Sequence, residues 1–98
     1  MEVSLMKNDE KASILLEHLD EVVQINFFLE KHYKKALVKG LTESEGKSTG
    51  AKAKMILERF DEAYQVNWGF EKFYLKAIVK GLNKIDELEK KELKKAEG

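Results

Sequence analysis

The sequence predicts an all-α protein: an antiparallel helical hairpin, made by tandem helix duplication, that dimerises into a four-helix bundle. Three observations carry this prediction. Residues 11–41 match residues 52–82 at a constant offset of 41, with 17 of 31 positions identical. The recurrences Asn26/Asn67, Glu30/Glu71, Tyr33/Tyr74 and Gly40/Gly81 stay in register, which shared helical composition alone would not produce. Apolar residues in both copies follow the 3.6-residue period, at 15, 16, 19, 22, 23, 29, 33, 36 and 37 and again at 56, 57, 60, 63, 64, 70, 74, 77 and 78. No alternating β pattern competes with that period.

Repeat one (11–41) reads as one helix of about 30 residues and about 45 Å, at 1.5 Å per residue. Gly40, followed by Leu41, has the pattern of a helix C-cap. The polar stretch 42–50, with two glycines, reads as the loop, and Ser48 or Thr49 is placed to cap the second helix. Repeat two (52–82) repeats the long helix and closes at Gly81. Asn83 then caps a short, weakly apolar tail helix within 83–98. All of 1–98 forms a single domain, since the chain is too short for two.

Charge supports the hairpin. The first half of each repeat is acidic (Glu17, Asp20, Glu21; Glu58, Asp61, Glu62) and the second half basic (Lys31, Lys34, Lys35, Lys39; Lys72, Lys76, Lys80). In one continuous helix that order complements the macrodipole. It also sets acidic beside basic halves in antiparallel neighbours.

Composition bounds function. Eighteen basic and eighteen acidic residues cancel, which argues against a nucleic-acid binder. No cysteine means no disulfide frame and no thiolate metal site. The opening residues lack the apolar run of a signal peptide, and no apolar stretch is long enough to span a membrane, so the expectation is a cytoplasmic protein without a membrane partner. Lys and Glu supply 31 of 98 residues, an enrichment that points to a thermophilic source.

Two sets of residues stand out. Ile25, Phe27, Phe28, Val66, Trp68, Gly69, Phe70 and Phe73 lie beside or behind the main apolar stripe, more than one helix seam can bury. They predict an interface, most simply with a second copy. Phe28 aligns with Gly69, so the two repeats have specialised for different neighbours. The second set is Asn26, Glu30 and Tyr33, repeated as Asn67, Glu71 and Tyr74, which fall at a/d heptad positions. They predict a polar core layer that fixes register.

The sharper alternative is a ligand- or metal-binding bundle centred on Glu30 and Glu71. It lacks the Glu-x-x-His spacing of di-iron bundles, because Tyr33 and Tyr74 stand where histidine is needed. His18 and His32 have Arg59 and Phe73 as counterparts. Gly46-Lys47-Ser48 resembles the end of a phosphate loop, but Leu41 occupies the position of its first glycine and no strand precedes it. Lys90, Lys91, Lys94 and Lys95 are balanced by Glu87, Glu89, Glu92 and Glu97 and read as a solvated face. No catalytic residues and no cofactor are assigned. The expectation is a non-enzymatic, oligomeric assembly or adaptor module acting through protein–protein contacts, with itself as a dimer or with another protein.

Overall fold

The computed structural model describes residues 6–97, with side chains as far as residue 92. Residues 1–5 and 98 of the expected single domain lie outside the described residues, as does the Leu93 side chain. Four α-helices are present: α1 (Asn8–Asp20), α2 (Glu30–Glu43), α3 (Thr49–Tyr64) and α4 (Glu71–Glu97). Short 3-10 turns, Phe27–Leu29 and Trp68–Phe70, precede α2 and α4. The all-helical class expected from the periodicity is present, and no strand occurs among the described residues.

The two continuous 30-residue helices are not. Each repeat breaks at its middle and folds back on itself. Neither proline nor glycine causes the break in repeat one, where residues 21–26 read Glu-Val-Val-Gln-Ile-Asn. β-Branched residues and Asn are weak helix formers, and side chains offer the backbone other partners there. Asp20 Oδ1 accepts from the Ile25 amide at 3.0 Å, and Asn26 Oδ1 accepts from the Phe28 amide at 3.0 Å. Repeat two does the same: Asp61 Oδ1 accepts from Val66 at 2.8 Å, and Asn67 Oδ1 from Gly69 at 2.9 Å. Ile25 and Val66 turn inward and are buried, so each break adds to the core. One difference is backbone: α3 runs on to Tyr64 and leaves through Gln65 at φ +62°, a left-handed conformation that repeat one does without.

The break reverses the dipole argument. Glu17, Asp20 and Glu21 now crowd the C-terminal end of α1, where negative charge is unfavourable. Asp20 and Asp61 are used instead as loop acceptors. The expected antiparallel pairing of acidic with basic segments survives between α2 and α3, where Lys39 Nζ lies 4.0 Å from Glu62.

Each helix packs on two neighbours in the ring α1–α2–α3–α4–α1. Asn8 at the start of α1 donates to Thr42 near the end of α2. Tyr33 of α2 meets Tyr64 of α3, and Lys11 of α1 pairs with Glu89 of α4 at 3.7 Å. Helices therefore alternate up and down. One chain supplies all four helices, whereas the sequence suggested that two copies would be needed. The most deeply buried apolar residues come in pairs at the 41-residue offset: Leu15/Ile56, Leu16/Leu57, Leu19/Phe60 and Leu37/Ile78. The two repeats thus enclose one core about a pseudo-two-fold axis along the bundle.

Gly40 and Gly81 do not end helices, and Asn83 does not begin one: α2 continues to Glu43 and α4 runs unbroken through both Gly81 and Asn83. The glycines are close-approach points. A Cβ on Gly40 would lie 2.8 Å from Ile56 Cα, and one on Gly81 would lie 2.7 Å from Leu15 Cδ2. Position 56 is the repeat-two counterpart of position 15, so these contacts are the same contact made twice, α2 on α3 and α4 on α1. Ser48 does cap α3, accepting from the Ala51 amide at 3.4 Å.

Candidate functional site: the aromatic end

Up-down alternation puts both mid-repeat loops at one end of the bundle. That end gathers the C-termini of α1 and α3, the N-termini of α2 and α4, and both 3-10 turns. The start of α1 and the far half of α4 lie at the other end. Of the residues expected to form an interface, Ile25 and Val66 are instead buried in the chain's own core. Gly69 is exposed within its 3-10 turn, against Asn67 of its own cap; no neighbouring helix approaches it. The others are exposed at the aromatic end. Phe28 is fully exposed (100%), and matched positions of the two turns are exposed to similar degrees: Phe27 51% with Trp68 45%, Leu29 47% with Phe70 53%. Phe73 and Val22 add to the same surface. Trp68 is therefore half-exposed, not locked between helices.

The expected polar layer does not assemble within the chain. Asn26 and Asn67 are exposed caps of the 3-10 turns, Glu30 and Glu71 are half-buried first residues of α2 and α4, and only Tyr33 and Tyr74 enter the core. The heptad assignment assumed an unbroken helix, and the break changes the phase after residue 20. Among the described residues, no group of three or more His, Asp or Glu side chains is placed to hold a metal ion.

The two pseudo-equivalent seams differ. Between α2 and α3, Phe60 stacks on Tyr64 with centroids 5.2 Å apart, and Tyr33 meets both rings. Arg59 lies over this seam, its Nε 2.7 Å from Glu43 and its Nη1 on Glu62. Hydrogen bonds to Glu43 and then Glu62 raise its already high pKa further. Burial, with Tyr74 and Tyr33 nearby, raises the Tyr64 hydroxyl above its ordinary value. The α1–α4 seam has His18 where the other has Arg59, and His18 Nδ1 is spent on the Ile14 carbonyl at 2.9 Å. This seam is open. A hollow of about 210 Å³ runs between Glu21, Val22 and Phe73, and another of about 260 Å³ continues it past Phe70 to the aromatic end.

Sequence reasoning named most of this surface but missed Val22 and Leu29, which the 3.6-residue apolar stripe assigned to the core. The available signal was the pairing of Leu29 with Phe70 directly ahead of Glu30 and Glu71. No helix among the described residues is long and apolar enough to cross a membrane. No family model, no curated protein and no solved structure matches the chain.

Proposed function

We propose that this protein is a non-enzymatic assembly module that works through protein–protein contacts made by its aromatic end. The observation that carries this reading is the size and repetition of the exposed apolar surface. Five aromatic side chains of about 200 Å² each, at these exposures and with Val22 and Leu29, leave roughly 700 Å² of apolar area in water. Summed over both repeats this exceeds the roughly 300–600 Å² of the largest single patch on an ordinary monomer, and it approaches the roughly 800 Å² that one partner buries in a standard interface. Both repeats spend equivalent positions on this surface, although almost half of their aligned residues differ.

The rim favours a protein partner over an anionic membrane. Asp20, Glu21, Asp61 and Glu62 stand at this end together with Lys31 and Lys72, so no single-sign field surrounds the aromatics. The alternative of a metal or small-ligand site on Glu30 and Glu71 draws no support from their placement at two separate helix starts. A photoreactive phenylalanine analogue at position 28 tests the reading in the native host. It should form adducts with protein, whereas the same group at exposed Lys54 on α3 should not. If position 28 yields no protein adduct, the aromatic end is not a protein-contact surface.

A further inference from the structure

The absent side chain at Gly69 has no explanation inside the chain. Its φ is not positive, so the backbone does not require glycine. A Cβ there would meet only Asn67, with Oδ1 at 3.1 Å. Repeat one shows that such a contact is tolerated. Asn26 and Asn67 cap their turns with φ/ψ of −83°/103° and −84°/104°, and Phe28 occupies the position equivalent to Gly69. The same local geometry therefore holds a phenylalanine in one repeat and nothing in the other. The result is a fully exposed knob in one turn and, at the equivalent position of the other, no side chain between exposed Trp68 and Phe70 in the sequence, which leaves a gap in the row of aromatics.

From this geometry we infer that the partner at the aromatic end is a second copy, with Phe28 of each copy seated on Gly69 of the other between Trp68 and Phe70. The inference rests on the protein-contact reading of this end and names its occupant. A two-fold axis perpendicular to the bundle, and to the line joining Phe28 and Gly69, carries each knob onto the opposing gap. Both gaps are then filled by one operation, which is the self-complementarity an isologous contact needs. Two aromatic rings beside the gap offer edge and face contacts to the incoming phenylalanine. About 700 Å² of exposed apolar area per copy is close to what a stable dimer buries on each side. Zero net charge and a rim of both signs leave no repulsion between like copies. Joined end to end, the four repeats acquire pseudo-222 symmetry.

The shape of the particle and an exchange of knob and gap test this. One copy is 45 Å along its longest axis. Light scattering should return twice the 11.3 kDa chain mass, and small-angle X-ray scattering a particle about twice 45 Å in length. Trp68 emission should shift blue as concentration rises. Gly69→Phe fills the gap and should weaken self-association at least about thirtyfold, the scale of a hot-spot loss. Phe28→Gly should do the same, and because Phe28 makes no buried contact it keeps the test valid if Gly69→Phe misfolds. The exchange Phe28→Gly with Gly69→Phe rebuilds knob and gap on opposite repeats, with Phe27 and Leu29 beside the gap in place of Trp68 and Phe70, and should recover part of the lost association. A monomer at millimolar concentration, a dimer no longer than about one copy, or an exchange variant as weak as Gly69→Phe would each overturn the inference. Photo-adducts from position 28 to a different protein would then still support the assembly reading, whereas no protein adduct would remove both.

Discussion

Replacing Gly40 with alanine separates the close-approach role of this glycine from ordinary helix chemistry. Alanine in a helix interior is favoured over glycine by about 1 kcal/mol when nothing crowds it. At Gly40 the new Cβ would lie 2.8 Å from Ile56 Cα, with Ile56 Cγ1 and Cβ at 3.3 and 3.4 Å. Ordinary contact begins near 3.4 Å, so α2 and α3 must part by about half an ångström, against backbone that cannot rotate away. Overpacking of this kind costs about 1–3 kcal/mol. Set against the gain of about 1 kcal/mol, the net expectation is a loss of up to about 2 kcal/mol, a fall in Tm of up to about 15 °C for a domain of this size. Gly81→Ala meets the end of a flexible side chain, Leu15 Cδ2, and should be milder. Gly50, in the first turn of α3, has nothing within 4 Å, so Gly50→Ala should be neutral or stabilising. Denaturant melts of the three variants measure the series directly. A Gly40→Ala protein as stable as Gly50→Ala would refute the close packing of α2 on α3.

The loop and the aromatic seam give two further expected outcomes. Asp61→Ala removes the acceptor for the buried Val66 amide and should cost about 1–3 kcal/mol, while Asp61→Asn, which keeps an oxygen there, should recover most of it in the same melts; equal losses would mean the hydrogen bond does not hold the loop. Tyr64 has its pKa raised by burial, so folding favours the neutral phenol: the contribution is complete below the unfolded value of about 10 and is lost as pH climbs through the higher folded value. Stability should therefore fall more steeply above pH 10 in the wild type than in Tyr64→Phe, and indistinguishable alkaline profiles would count against the partial burial of this phenol.

What the sequence made legible was periodic, and what it hid was a matter of a few hydrogen bonds. Helical class, the repeat and the oddity of the residues around Phe28 and Gly69 all come from spacing, because burial of a helix face demands a 3.6-residue period. The mid-repeat breaks are different. A stripe of apolar residues continues through Val22, Val23 and Ile25 almost unperturbed, so periodicity alone reads one long helix. Two side chains per repeat decide otherwise: an aspartate that takes the amide five residues on and an asparagine that caps the next turn. Each such bond is worth only about 1 kcal/mol net. The fold-back they permit is worth more, because it lets Tyr33 and Leu37 pack onto the layer of Leu15, Leu19 and Phe60 inside one chain. The glycines were misread for the same reason. Gly40 and Gly81 carry a C-cap signature locally, and only the arrival of Ile56 and Leu15 from the other repeat gives their missing side chains a purpose. Gly69 stands apart. No helix of the chain packs against it as those of Ile56 and Leu15 pack against Gly40 and Gly81, and that difference is what leads to the proposed seat for Phe28 of a second copy.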